Sequence, residues 1–236
     1  MSYLVGRGQL NNLSIFSPEK KIGETDISHI VTSFKLYEDM FSPFVSAEFN
    51  VMDGSALMST IDLSGGEYIK LSFSSGGAKR KFDLVLVVDK IINKERLKDD
   101  IEAYTICAVS EEYLFNNSIS VPESFTKKNI SNMVQQVIEK YITPIGGKKL
   151  FYVEASEGLQ SILSNNQRPF ELIKRFADEA QSLQNPDSVY FFYENAAKDE
   201  GYVFATIDDL YSKEPKHTFV KDIITECGAE PYASKD

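Results

Sequence analysis

The chain has 236 residues, of which 42% are hydrophobic and 25% charged, enough apolar surface to bury a core in one or two domains and to exclude wholesale disorder. Its 35 Asp and Glu against 25 Lys and Arg leave a net charge of −10, which disfavours wrapping a phosphate backbone or holding an anionic membrane through basic clusters. The two cysteines, Cys107 and Cys227, are too few and too distant for a disulfide scaffold. No stretch offers the roughly 20 apolar residues of a membrane helix, and the first residues carry no secretory apolar run. The expectation is a soluble protein made in a reducing cytoplasm, without a membrane anchor.

Residues 1–26, broken by Gly6, Gly8, Pro18 and Gly23, read as an extended arm or surface loop. From residue 27 the pattern alternates with the period of two of a half-buried strand. Ile30, Thr32, Phe34 and Leu36 share one face; after a turn from Glu38 to Pro43, Val45, Ala47, Phe49 and Val51 share the next. Asp53 is placed to cap a short helix reaching Met58. Strands are expected over 68–73, 81–91 and 101–110, with a turn at Gly76-Gly77 and a charged turn over 93–100. Short strands with Gly-rich turns predict a small antiparallel barrel or sandwich over 27–110.

Beyond residue 110 the pattern becomes helical. Ile130, Met133, Val134, Val137, Ile138 and Tyr141 recur at helical spacing, with Thr126 as the expected N-cap and Pro144 and Gly146-Gly147 as the stop. A second helix is expected from Pro169, a residue suited to a first turn, to Leu183. Leu172, Ile173, Phe176, Ala177 and Ala180 form its apolar stripe, and Glu171–Arg175 and Lys174–Asp178 are i,i+4 pairs. Strands over 189–193 and 202–207 complete an α+β unit over 111–210, and 211–236 reads as a polar tail. The fold class expected is α+β and β-rich, an N-terminal antiparallel β-barrel or sandwich followed by a smaller α+β domain.

Residues capable of chemistry do not converge in the sequence. Gly146-Gly147-Lys148 lacks the upstream Gly and the following Ser or Thr of a phosphate loop. His29 and His217 stand apart from other ligands at metal spacing. Cys107 reads as a core residue, and nothing cationic surrounds Cys227. The doublets Asp99-Asp100, Glu111-Glu112 and Asp208-Asp209 read as solvated turns, because neighbours on a strand point to opposite faces and cannot share a substrate. The expectation is a structural or interaction protein without catalytic residues, cofactor or metal.

The run from Arg168 to Ala180 (RPFELIKRFADEA), followed by the aromatic strands 189–193 and 202–207, resembles the helix-to-hairpin segment of contractile-tail baseplate hubs of the T-even type and of VgrG hub regions. The order of strand at Phe34, turn at Tyr37-Glu38-Asp39, strand ending at Val51-Met52-Asp53, short helix, and Gly66–Phe73 is similar to the hub's first tube domain. The resemblance covers about 27–210. It implies a tube-type barrel at 27–110, a hub domain at 111–210, and a role in a virion tail baseplate assembled in the bacterial cytoplasm. Family hubs carry two tube barrels per chain and form trimers whose barrels make a pseudo-six-fold ring between tail tube and central spike. No room for a second barrel follows residue 210, so one barrel per chain would need six copies to close the ring. The implied partners are further copies of the chain as trimer or hexamer, a tail tube protein and a central spike protein. DNA would pass without specific binding, and an acidic wall suits that passage. A tail-borne cell-wall hydrolase and a tail tube or tube-adaptor protein are the alternatives.

Site residues follow from that frame. Glu67, Asp83, Asp89 and Glu102 interrupt or flank strands and are expected to face the lumen. Strand 81–91 carries Leu84, Leu86 and Val88 on one face and Val85 and Val87 on the other. Val85 and Val87 are therefore expected at or near an interface between subunits, the alternative being that the second domain of the same chain covers that face.

Overall fold

The computed structural model describes residues 8–75, 81–98, 100–146, 151–196 and 201–214. The Gly76-Gly77 turn, Asp99, Gly147, Lys148, His217 and Cys227 lie outside the described residues, as does most of the expected tail.

Among the described residues, seven strands form one antiparallel sheet in the order β2-β1-β5-β6-β7-β4-β3. They are β1 (Gly8–Ser17), β2 (Ile22–Asp26), β3 (Val31–Tyr37), β4 (Ser46–Asp53), β5 (Tyr68–Ser75), β6 (Lys81–Lys98) and β7 (Ile101–Val109). The edge strands β2 and β3 are consecutive in the chain, joined only by residues 27–30. Laid flat, six inter-strand gaps would set them about 29 Å apart, whereas five Cα steps reach at most about 18 Å. The sheet must curl. Ile27 N–H donates to Leu13 C=O of β1 at 3.0 Å, and Met52 N–H of β4 donates to Ile30 C=O at 2.8 Å, so the linker is bonded to both sides of the curl. At the mouth, Phe34 of β3 packs on Phe73 of β5 at 5.4 Å between ring centroids, although three strands, β6, β7 and β4, separate them along the sheet. The result is a half-barrel.

Its concave side holds one core: Leu13, Ile15, Ile27, Phe49, Ile69, Leu71, Leu86, Ile106 and their neighbours. Val45, Ala47, Phe49 and Val51 are all buried, as the alternation required. Two expectations are corrected. The segment taken for an arm supplies β1 and β2, because Leu13 and Ile15 alternate into the core while β1 pairs with β5 from Gly8↔Ser75 to Phe16↔Tyr68. The charged turn over 93–100 is strand as far as Lys98, paired with Ile101; backbone bonding to β7 carries residues whose side chains all face water.

Asp53 accepts from Leu57 N–H at 2.6 Å and Ser55 N–H at 2.8 Å, capping α1 (Leu57–Thr60). The rest of the chain forms α2 (Glu111–Ser118), β8 (Ser124–Lys128), α3 (Ile130–Val137), α4 (Thr143–Gly146), β9 (Phe151–Val153), β10 (Gln160–Leu163), α5 (Pro169–Glu179), β11 (Tyr190–Glu194), β12 (Tyr202–Thr206) and α6 (Ile207–Ser212), and β8, α3, β10, α5, β11 and β12 supply a second core. β11, β12 and β9 form a three-stranded sheet and β10 pairs with β8. Thr126 lies within β8, and Asn129 takes the N-cap position of α3. α5 stops at Glu179, four residues short of the expected end, where Ala180 turns extended. The expected pairs along α5 are replaced by Arg168–Glu171 (3.9 Å) and Arg175–Glu179 (2.8 Å).

A π-helical turn at Ile138–Ile142 links α3 to α4. Its i→i+5 repeat aligns Tyr141 with Gln136, and both, with Lys140, donate to the Glu123 carboxylate. The Lys140 hydrogen bond, opposed by burial and reinforced by Tyr141, holds the Glu123 carboxyl below its ordinary value.

Leu172, Ile173 and Phe176 are fully buried in this second core with Tyr190, Phe192, Tyr202 and Phe204. Phe176 meets Phe125 edge-on at 5.6 Å. Phe176→Ala should cost about 3–5 kcal/mol and lower the thermal unfolding midpoint clearly; an unchanged melt would contradict this packing.

Candidate interaction surface

The convex face of the half-barrel is where the site residues of β6 are sorted. Leu84, Leu86 and Val88 turn inward; Asp83, Val85 and Val87 turn outward by alternation. Val85 is 53% exposed. Val87, expected at an interface, is only 4% exposed. Its cover comes from the same chain: α2 follows β7 directly and folds back onto β6, while Tyr68 beside Val87 in the register donates to Glu111 of α2 at 2.6 Å. That hydrogen bond and burial push the Tyr68 phenol up to about 12.

The four acidic candidates are separated. Glu67 is completely buried and so does not face a lumen. It accepts from Lys20 Nζ at 2.6 Å, Gly65 N–H at 2.9 Å and Ser64 N–H at 3.2 Å, and Lys20 also donates to Ser64 Oγ at 2.8 Å. Sequence position did not reveal this, because Lys20 is 47 residues away. Asp83 is exposed on the convex face, 3.1 Å from Lys81 Nζ. Asp89 also reaches that face, at the bulge between Val88 and Lys90. Glu102 shares the opposite side with Tyr104 by alternation and pairs with Lys94 at 3.2 Å. Of the doublets, Glu111 and Glu112 open α2, with Glu112 buried, and Asp208 and Asp209 open α6.

Beside α2 the convex face is indented by an open cleft of 230 Å³, walled by Tyr37, Phe44 and Tyr113 and floored by Glu48, Asp89, Lys90 and Cys107. Tyr37 Oη donates to Glu48 at 3.0 Å, and the Phe44 and Tyr113 rings lie 4.0 Å apart. Burial, with Glu48 nearby, pushes the Cys107 thiol up, the opposite of what a nucleophile needs. Among the described residues no group of three or more His, Cys, Asp and Glu is placed to hold a metal.

The two cores are latched through a carboxylate. Glu194 at the end of β11 is buried and accepts from Ser110 Oγ at 2.5 Å and Val45 N–H at 3.1 Å. Asn116 Oδ1 of α2 accepts Phe170 N–H at 2.8 Å, one of the free donors at the start of α5. Phe41, on the turn between β3 and β4, packs edge-on against Phe191 at 5.5 Å.

No family model matches the sequence. The chain is 22% identical over 206 residues to a protein named probable baseplate hub protein gp334 of Vibrio phage KVP40. The chain is thus similar in sequence to a phage baseplate hub protein. The match takes in 86% of this chain and 47% of the relative, so the chain spans about half the length of the curated relative. Two solved structures share the fold. A tail protein from Neisseria meningitidis MC58 superposes with a TM-score of 0.53 at 10% identity, over 87% of this chain and 52% of that one. The 43 kDa tail protein of prophage MuSo2 from Shewanella oneidensis gives 0.51 at 12% identity, over 82% and 53%. The hub resemblance drawn from the 168–180 helix and its hairpin is thus borne out, as is the α+β, β-rich fold class.

Two outcomes are expected. Burial raises the Glu67 carboxyl, but Lys20 and the two N–H donors outweigh it and hold it below the ordinary 4.5. A depressed carboxyl stabilises the fold above its unfolded-state value, and that contribution fades as pH falls through the folded value. Glu67→Gln should therefore be less stable than wild type at neutral pH, with the difference narrowing below pH 4.5 in urea melts taken along a pH series. Glu194→Ala should cost about 1–3 kcal/mol, the penalty for buried donors losing an acceptor, and should split a single urea transition into two as the cores uncouple.

Proposed function

We propose that the chain is a structural component of a phage tail baseplate or a related contractile injection machine, one that assembles with other copies into a ring between the tail tube and the central spike. The observation that carries the reading is the match to a baseplate hub protein across most of the chain, supported by the half-barrel fold shared with two tail proteins. The trimer or hexamer, the tube and spike partners, the virion location and the passage of DNA without specific binding belong to this proposal. The raised Cys107 thiol and the scattered carboxylates favour a structural part over the hydrolase alternative.

The uncovered part of the convex face, with Asp83 and Val85, is the surface we assign to neighbouring copies and the channel wall. Val87 leaves that assignment because α2 covers it, and Glu67 leaves it because it is buried. The test is sedimentation of the full chain, alone and with tail tube protein. Assembly should proceed in multiples of three or six, and Val85→Lys should reduce it while leaving the melting temperature within a few degrees of wild type. A wild-type chain that stays monomeric at tens of micromolar, with no assembly induced by tube protein, would overturn the reading.

A further inference from the structure

The half-barrel is closed along part of its length only. β2 pairs with β1 between Ser17 and Ser14, and the linker takes over at Leu13. From Gly8 to Asn12, β1 is paired with β5 on one side and with no strand on the other among the described residues. β3 is likewise paired with β4 alone from Val31 to Tyr37. The two bare edges lie at one level, because Phe34 of β3 packs on Phe73 and Phe73 is the register partner of Leu10 on β1. Among the described residues no backbone hydrogen bond joins β1 to β3, so a seam runs between them. Burial falls away towards it. Phe49 and Ala47 of β4 are buried, but their partners Phe34 and Leu36 on β3 are half-buried. On β5, Leu71 is buried and Phe73 half-buried; on β1, Leu13 is buried and Leu10 is 36% exposed. Bare edges over an apolar floor are where a further strand adds, main-chain bonds giving affinity and alternate side chains giving specificity.

The chain carries a matching segment beside the seam. Met1-Ser2-Tyr3-Leu4-Val5-Gly6-Arg7 leads into Gly8, the residue where the bare edge of β1 begins. Gly6-Arg7 places glycine first in a two-residue loop, the residue that a type II′ hairpin turn calls for. That loop would set Val5 opposite Gly8, Leu4 opposite Gln9 and Tyr3 opposite Leu10. Leu10 shares the inward face with its partner Phe73, so Tyr3 and Val5 would face the seam and Leu4 the solvent. The register shift between Leu10 and Asn12 ends the match just beyond Tyr3. A strand tethered through two residues meets the edge at an effective concentration in about the millimolar range, above that of a free partner.

We propose that residues 1–5 fold back on β1 as a strand and fill the seam between β1 and β3, with Tyr3 and Val5 covering Leu10, Phe34 and Phe73. The added strand completes the wall of the half-barrel and shields two edges from pairing elsewhere. The inference goes beyond the ring reading and does not depend on it.

Hydrogen exchange of the full chain, read by mass spectrometry over segments 8–12 and 31–37, is the test. Tyr3→Asp with Val5→Asp should speed exchange in both segments about tenfold or more, whereas Leu4→Asp should leave them near wild type. Wild-type protection should be the same at low and high micromolar concentration. Thermal melts check folding, and Val5→Ser gives a milder variant should the double change unfold. A folded double variant that exchanges like wild type overturns the proposal, and so does a Leu4→Asp effect of equal size, because a strand buries only alternate side chains. Protection that rises with concentration puts a second copy in the seam and overturns closure by the chain's own residues. A wild type that stays monomeric with and without tube protein overturns the ring reading and leaves this one standing.

Discussion

The tether of four residues between β2 and β3 is the constraint on which the half-barrel depends. It joins the two edges of a seven-stranded sheet, and no flat sheet satisfies it. Once the edges are drawn together, the sheet acquires an inside and an outside. Ile27 and Ile30, the apolar members of the tether, are buried in the core that the closure creates. Covalent reach and hydrophobic burial thus act at the same residues. The sorting of β6 into inward Leu84, Leu86 and Val88 and outward Asp83, Val85 and Val87 has structural meaning because the curl has made the two faces unequal.

The convex face is then divided by the chain's own path. Ser110 ends β7, and α2 returns over β6, covering Val87 while Val85 stays in water. The same residue Ser110 donates to Glu194 from the second core, so the point where the chain leaves the sheet is also the point where the two cores are latched. A buried carboxylate is costly unless its lone pairs are filled. Here the hydroxyl and the Val45 amide supply donors, and the orientation of the second core on the half-barrel is tied to that satisfaction. Phe41 against Phe191 adds an apolar contact at the same junction.

A structural part of the kind proposed needs surfaces that recognise neighbours more than it needs reactive groups. The titratable groups are absorbed into the scaffold: Glu67 into a buried tie with Lys20, Asp53 into a bond with the first N–H of α1, Glu123 into the π-turn, and Cys107 into a cleft that suppresses its thiolate. What remains open to partners is the uncovered convex face.

The sequence by itself determined the local periodicities. Val45, Ala47, Phe49 and Val51 could only be one buried face, and Leu172, Ile173 and Phe176 only one helix stripe, because side-chain direction follows the backbone repeat. β1 was legible in the same way through Leu13 and Ile15, but Pro18 and three glycines drew attention to punctuation instead of alternation. Only the tertiary structure decided the outcome for Val87, Glu67 and Glu194. Each depends on a residue brought from elsewhere in the chain: Glu111 and its helix for the first, Lys20 for the second, Ser110 and Val45 for the third. The long extension of β6 was hidden for the converse reason. Its side chains carry no core pattern, and backbone bonds to β7, which any sequence without proline can make, hold it as a strand.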